Sequence, residues 1–358
     1  MSALNAKIEL EELLGEVVTT NASDLHVSVG RHPTLRIDGA LLPLAKYPVL
    51  TPEAAEELSF LLFTPEQKNF FLAEQEIDFS YGFADKARFR VNVFRQRGFV
   101  SAALRLIPSK IRTIEELNLP VVLHRFTKLS QGFFLCVGPA GHGKSTTLAA
   151  LIDEINHTRT EHIITIEDPI EYAFSQDRSI VDQREVHHDT KGFHRALRSA
   201  LRQDPNVIMI GEMRDSETIS AAITAAETGH LVLASLHTNN AAQTIDRIID
   251  SFPPGQQAQI RAQLSGTIVG IVSQRLIPRI DGGRTPVAEI LIANPAVRNL
   301  IRENKTHQIE MVVETNAEQG MVSLNRSLEE RVRRGEVSPD MAEIYSLNPE
   351  ELRQLLSR

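Results

Sequence analysis

A glycine-rich segment at residues 138–146 contains the residue types needed to hold nucleotide phosphates. It reads Gly-Pro-Ala-Gly-His-Gly-Lys-Ser-Thr and matches every fixed position of the phosphate-binding loop pattern. Glycines let the backbone curl so that successive N–H groups point at phosphate oxygens. We expect Lys144 to reach the β- and γ-phosphates and the Ser145 hydroxyl to hold a magnesium ion. The predicted nucleotide-binding residues are Gly138, Pro139, Ala140, Gly141, His142, Gly143, Lys144, Ser145 and Thr146.

Hydrolysis also needs carboxylates, and these follow two apolar segments. Val207–Ile210 leads through a glycine to Glu212, which is a Walker B arrangement with Glu in place of the usual Asp. Contact with the metal could therefore run through a water molecule. A second apolar run, Ile163–Ile166, is followed by Glu167, Asp168 and Glu171. Strand ends converge on the ligand crevice of a doubly wound sheet, so both groups are expected to face the phosphates. Taken singly, each could also be a solvated turn.

Histidines form two further candidate groups. His230 and His237 flank the apolar run Leu231–Ala234, where a histidine could sense the γ-phosphate or the metal. Spacing alone leaves a structural role open for both. The run His187-His188-Asp189 has the composition of a metal site. Adjacent side chains on a strand point in opposite directions, so we do not expect these three to converge on a metal.

The elements that must position these residues read as α/β. Four short runs are apolar throughout and alternate with helix-length segments, which predicts a parallel sheet covered by helices on both faces. They are Phe133–Val137, Ile163–Ile166, Val207–Ile210 and Leu231–Ala234. The first part of the chain has alternating segments such as Thr34–Ile37 and Arg88–Phe94, which predict an antiparallel sheet. We therefore expect a small α+β domain over residues 1–110, a linker over 111–120, and the ATPase domain with C-terminal helices over 121–358.

The composition fits a two-domain globular protein and argues against several other classes. The chain has 358 residues, more than one ordinary core accommodates. A net charge of −8 gives no electrostatic footprint for nucleic acid. A single cysteine, Cys136, excludes an intrachain disulfide and a cysteine-rich zinc module. No apolar run reaches the ~18 residues needed to span a bilayer. We expect a cytoplasmic protein without direct membrane insertion.

In this order, the four blocks resemble the secretion ATPase superfamily: a Walker A loop, an acidic box, a Walker B strand ending in Glu, and a histidine box. Within it, the chain is most similar to the ATPases that retract type IV pili, over nearly its whole length. The matching segments include Ala22–His26, Ala87–Asn92, Gly211–Asp215 and Ala225–Leu231. Ala296–Glu303 is similar to the C-terminal motif associated with retraction, with Val297 in place of the usual isoleucine.

The resemblance implies a RecA-like P-loop domain preceded by a PAS-like α+β domain, with ATP and Mg²⁺ as cofactors. It also implies a homo-hexamer that acts on a platform protein of the inner membrane. The protein would thus lie peripherally at that membrane, held there through the pilus machinery.

The same resemblance assigns roles to individual residues. Glu171 becomes the general base and Glu212 the Walker B carboxylate that serves the metal. His237 becomes an active-site residue and His230 a second candidate. The resemblance also implies that arginines of the PAS-like domain act on the phosphates. The matching residues are Arg88, Arg90 and Arg105. It stays open which of them does so, or whether they are only surface arginines.

Three alternatives stay open. An assembly or secretion ATPase would run the same chemistry, but those relatives usually have a longer N-terminal region and a four-cysteine metal site. An accessory paralogue of the retraction motor is disfavoured by residues 296–303. A nucleotide-gated binding module without turnover is disfavoured by the carboxylates at Glu171 and Glu212.

Overall fold

The computed structural model describes residues 3–37, 39–84, 86–107 and 110–357. It divides into two compact units. The first groups Met1–Lys110 with Asp168–Ala173, and the second groups Ile111–Glu167 with Phe174–Arg358. Each unit has a hydrophobic core of its own, which is the usual mark of an independent domain.

The first unit is an antiparallel sheet with helices. Its six described strands lie in the order β3-β2-β1-β6-β5-β4. Along β5, Phe89, Val91 and Val93 are buried while the residues between them are partly exposed, as a half-buried strand requires. The strands are β1 (Asp24–Val27), β2 (Thr34–Ile37), β3 (Ala40–Pro43), β4 (Glu76–Phe83), β5 (Ala87–Gln96) and β6 (Phe99–Ile107). The helices are α1 (Ala3–Thr19), α2 (Pro52–Phe60) and α3 (Pro65–Glu74).

The second unit contains a seven-stranded sheet in the order β13-β12-β7-β11-β10-β8-β9. Its neighbouring strands are parallel except that β13 runs antiparallel to β12. The strands are β7 (Gly132–Val137), β8 (His162–Glu167), β9 (Ile180–Glu185), β10 (Val207–Ile210), β11 (Leu231–Leu236), β12 (Ile268–Pro278) and β13 (Arg284–Ile292). The four apolar runs of the sequence coincide with β7, β8, β10 and β11, so the predicted α/β class is confirmed.

Helices cover both faces of this sheet and continue into a C-terminal group. Leu324, Leu328 and Leu352 of that group pack with Ile277 and Val287 of the last two strands in a small separate core. The helices are α4 (His124–Thr127), α5 (Lys144–Thr158), α6 (Phe193–Ala200), α7 (Ser216–Glu227), α8 (Ala241–Asp250), α9 (Pro254–Thr267), α10 (Pro295–Arg302), α11 (Ile309–Thr315), α12 (Leu324–Arg333), α13 (Pro339–Tyr345) and α14 (Pro349–Leu356).

Residues 111–120, which the sequence suggests as a linker, pack with the second unit. Ile114 and Leu119 are buried in its core, and the Asn118 carbonyl accepts a hydrogen bond from Arg331 of α12 at 2.8 Å. In the part of the chain that the structure describes, no helix has the length and apolar character to cross a membrane.

Candidate active site

The phosphate-binding loop joins the end of β7 to the start of α5. Gly138, Gly141 and Gly143 have φ values of 145°, 76° and 82°, which disfavour any side chain. A Cβ on Gly138 would lie 2.2 Å from the Gln274 carbonyl oxygen. No side chain caps the N-terminus of α5, and the positive end of a helix dipole favours an anion at this position. The loop fits a phosphate group on both counts.

Lys144 is the first residue of α5 and is buried. Its ammonium nitrogen donates to the carbonyl oxygens of Gly138 and Pro139, each at 2.9 Å. The same nitrogen lies 3.4 Å from Nδ1 of His237. The lysine is therefore folded over its own loop, where a bound phosphate would offer a stronger, charged acceptor.

His237 and Glu212 continue from Lys144 along the same edge of the sheet. Nε2 of His237 lies 3.5 Å from Oε2 of Glu212, whose carboxylate also pairs with Arg214. The Ser235 hydroxyl donates to the Gly211 carbonyl and so ties the end of β11 to the residue before Glu212. Because β7, β11 and β10 are parallel neighbours, their C-terminal ends bring these three predicted residues together.

A magnesium ion would find suitable donors here. Ser145 stands in the first turn of α5 and Glu212 follows the end of β10 with a side chain that is 14% exposed. Hydroxyl and carboxylate oxygens are the ligands that Mg²⁺ prefers, and the ion usually keeps several waters and phosphate oxygens as well. The described residues contain no group of three or more His, Cys, Asp or Glu that could hold a metal without a nucleotide.

A glutamine that the sequence analysis missed braces the loop. Gln274 of β12 is buried; its Nε2 donates to the His142 carbonyl at 2.8 Å and its Oε1 accepts from the Thr147 hydroxyl at 2.6 Å. One amide thus holds the loop and the first turn of α5 together. The signal available in the sequence was the polar stretch Ser273-Gln274-Arg275 between the apolar residues of β12.

His142 is braced by the same strand. Its Nδ1 accepts a hydrogen bond from the Leu276 backbone N–H at 2.9 Å, which requires the neutral tautomer with hydrogen on Nε2. Burial lowers the pKa of His142, and the charges of Arg275, Lys144 and Arg284 lower it further. The ring is therefore an acceptor that supports the loop rather than a cation.

Two other histidine groups lie elsewhere. His230 precedes β11, at the opposite end of the strand from His237, and its Nδ1 contacts the Ala225 carbonyl at 2.9 Å. Six strand residues at ~3.3 Å each separate the two histidines by roughly 20 Å, so His230 lies away from the Lys144–His237 contact, and the structural role that the sequence left open fits its position. His187–Asp189 form a turn after β9 rather than part of a strand.

The carboxylates after β8 divide between the two units. Glu167 ends β8, is buried, and accepts from the Thr165 hydroxyl at 2.6 Å and from Gln183 at 3.1 Å. Glu171 belongs to the segment that groups with the first unit. There its Oε1 lies 3.8 Å from a guanidinium nitrogen of Arg90.

The three candidate arginines share one face of the first unit's sheet. Arg90 and Arg105 are direct cross-strand partners on β5 and β6, and Arg88 lies two residues before Arg90. Each guanidinium has a polar partner: Arg90 donates to Asp78 at 2.6 Å, Arg105 to Asp24 at 3.0 Å, and Arg88 to the Ser80 hydroxyl at 2.8 Å.

Comparisons with known proteins show the family to which this chain belongs. Residues 4–282 match the family model described as "Type II/IV secretion system protein". The type IV pilus retraction ATPase PilT of Pseudomonas aeruginosa is 45% identical over 343 residues, which cover 96% of this chain and 99% of that protein. A twitching motility protein of Neisseria gonorrhoeae is 44% identical over 89% of this chain and 86% of its own length. A crystal structure of the pilus retraction motor PilT with bound ADP superposes with a TM-score of 0.90 at 46% identity, covering 96% of this chain and 98% of that one. The chain belongs to the type II/IV secretion system protein family.

Proposed function

We propose that this chain is an ATP-hydrolysing motor that powers the retraction of type IV pili. The observation that carries the proposal is the contact series Lys144–His237–Glu212 at the phosphate-binding loop, at 3.4 and 3.5 Å. It occurs in a chain that is 45% identical to a pilus retraction ATPase over 96% of its length.

Phosphate binding is the task of the loop and of α5. The backbone N–H groups of the loop and of the first turn of α5 bind the phosphate oxygens. Lys144 leaves the carbonyls of Gly138 and Pro139, which it contacts at 2.9 Å, and pairs with the β- and γ-phosphates. Ser145 and Glu212 would hold a magnesium ion, which would supply charge neutralisation at the transferred phosphoryl group.

Activation of water is assigned to Glu171, a carboxylate with a side chain that is 43% exposed and can therefore meet solvent. Orienting a nucleophile in this way is the general-base part of phosphoryl transfer. Arginines of the first unit stabilise the developing negative charge. The side chain of Arg105 is 70% exposed, compared with 38% for Arg90, so Arg105 is more accessible than Arg90.

The proposed assembly is a homo-hexamer that transmits its conformational changes to a platform protein of the inner membrane. The protein would lie peripherally at that membrane through this partner. Helix α10 and its C-cap residue Glu303 form the segment 296–303, which supports retraction as the direction of work. Its apolar side is anchored by Val297 and Ile301, both fully buried, while Asn299, Arg302 and Glu303 are exposed.

Deletion in the source organism tests the direction of work. Loss of a retraction motor should leave cells with excess surface pili that do not twitch, and complementation with the wild-type gene should restore twitching. Bald cells would instead show an assembly ATPase, and twitching that persists with reduced force would show an accessory motor. Purified protein that binds ATP without releasing phosphate would identify a nucleotide-gated module.

A further inference from the structure

Strand β13 contains one buried carboxylate in an otherwise apolar run. Glu289 is 8% exposed and lies between Ala288 and Ile290, which are 1% and 0% exposed. Buried carboxylates need a hydrogen-bond partner because desolvation of the charge is costly. Oε1 of Glu289 accepts the backbone N–H of Ala241 at 2.6 Å. Ala241 is the first residue of α8, where the helix end favours a negative charge.

The residue opposite Glu289 binds the same segment. Ser273 of β12 is its direct cross-strand partner, so the two side chains lie on one face of the sheet. The Ser273 hydroxyl donates to the Asn239 carbonyl at 2.8 Å. The pair β12 and β13 thus provides an acceptor for the Ala241 N–H and a donor for the Asn239 carbonyl, two backbone groups that lie two residues apart in the chain.

Both contacts fall on the loop of residues 237–241, which begins at His237. Within this loop the Asn240 side chain caps α8 by accepting the Gln243 N–H at 2.8 Å, and the Gln243 side chain accepts the Asn239 N–H at 2.8 Å. The side chains of Asn240 and Gln243 therefore fix the loop to α8, while Glu289 and Ser273 fix it to the sheet. His237 sits at its start, within 3.4 Å of Lys144.

We propose that Glu289 is a positioning residue for His237, acting through the backbone of the loop 237–241 with Ser273 as its partner. The inference rests on the proposed ATPase site and adds to it a residue on the far side of β12. A loop held at two points keeps the imidazole of His237 between the P-loop lysine and Glu212, where sub-ångström placement decides the efficiency of a polar catalytic group.

The charge of Glu289 supports this role. Burial raises the pKa of Glu289 to about 7. The charge of Glu310 of α11 also raises this pKa, whereas the hydrogen bond from Ala241 and the charge of Arg275 of β12 lower it. In the folded chain Glu289 keeps its proton to a higher pH than an ordinary carboxyl group does. Its carboxylate therefore forms only near neutral pH. A charged acceptor binds an N–H more strongly than a neutral one, so the loop is held most firmly above pH 7.

Steady-state ATP hydrolysis by the full-length protein tests the proposal. Glu289→Leu removes the acceptor and should lower kcat by about tenfold, because a loop held at one point fewer misplaces His237, with KM for ATP unchanged. Glu289→Gln keeps an uncharged acceptor and should retain most of kcat. Val287→Ala is the matched control, because Val287 is also buried and lies on the same face of β13 but packs in the C-terminal core.

The pH profile gives a second readout that a purely structural role would not change. The kcat of the wild type should fall as pH drops from 8 to 6, while the kcat of Glu289→Gln should depend less on pH. This comparison remains measurable even if Glu289→Leu does not fold. Equal losses of kcat in Glu289→Leu and Val287→Ala, or identical pH profiles for the wild type and Glu289→Gln, would overturn the inference. Retained hydrolysis in Lys144→Ala would instead overturn the ATPase site itself.

Discussion

The ammonium nitrogen of Lys144 lies 3.4 Å from Nδ1 of His237. An ammonium group can only donate, so Nδ1 is the acceptor and the imidazole hydrogen stands on Nε2. That nitrogen faces the Glu212 carboxylate at 3.5 Å. The two contacts of the His237 ring fix one tautomer and connect the C-terminal ends of β7, β11 and β10. A change in the position of Lys144 can therefore be transmitted to Glu212 through His237.

Replacing His237 should therefore slow hydrolysis without preventing nucleotide binding. We expect His237→Ala to lower kcat by about 10- to 100-fold, since a positioned polar group contributes on the order of 10²-fold or more, while the Kd for ADP changes little. Phosphate release and titration with a fluorescent ADP analogue measure the two quantities. His230→Ala is the control, because that side chain binds Ala225 at the opposite end of β11; equal losses in both variants would contradict the assignment.

Gln274 should act on binding instead. Gln274→Leu leaves the Thr147 hydroxyl and the His142 carbonyl without their partner, to which they are bonded at 2.6 and 2.8 Å. An unsatisfied buried group costs about 1–3 kcal/mol, so the Kd for ADP should rise by roughly tenfold or more.

Asn156→Leu is the matched control for Gln274. It removes a buried amide that donates to Ser175 at 2.7 Å at the far end of α5. Calorimetric titration should find its nucleotide affinity unchanged although its thermal stability falls. A normal Kd in Gln274→Leu would show that the loop needs no brace from β12.

The stability of the nucleotide-free protein should depend on pH through His142. Burial lowers the pKa of this ring in the folded chain, so below the ordinary value of about 6.5 the unfolded chain binds the proton more readily. Stability is then lost as pH falls through this range.

His142→Asn removes that titration and keeps an acceptor for the Leu276 N–H. The advantage in melting temperature of the wild type over this variant should shrink between pH 7.5 and 5.5. An advantage that stays constant or grows over this range would contradict the neutral, accepting role of His142.

Glu171→Gln should separate binding from hydrolysis. The amide keeps the size of the side chain but cannot accept a proton, so the variant should bind ATP normally and hydrolyse it at least about 100-fold more slowly. Rapid filtration with labelled ATP would reveal the retained nucleotide. Normal turnover in this variant would assign the base to another residue.

The sequence predicted the strands and the loop well, because their patterns are local. The runs at β7, β8, β10 and β11 are apolar on both faces, and the glycines at 138, 141 and 143 are required by positive φ angles. The family resemblance assigned His237 to the active site, and its closeness to Lys144 is consistent with the rule that parallel strand ends share an edge.

Contacts made across long sequence separations were not predictable. Gln274 reaches the loop from 132 residues further along the chain, and Glu289 reaches Ala241 from 48 residues away. Each is a buried polar residue in a largely apolar strand, a pattern that signals a buried partner without identifying it. His230 precedes β11, whereas ligands of parallel sheets bind at the carboxyl ends of the strands, so its structural role could have been favoured from the sequence.

Phosphate release by the purified protein at saturating ATP and Mg²⁺ tests the central claim most directly. Lys144→Ala should reduce release to background, because no other side chain can replace the lysine charge inside the loop. Lys305→Ala, which removes an exposed lysine paired with Glu303 at 2.7 Å, should match the wild type. Undiminished phosphate release from Lys144→Ala would contradict hydrolysis at this site.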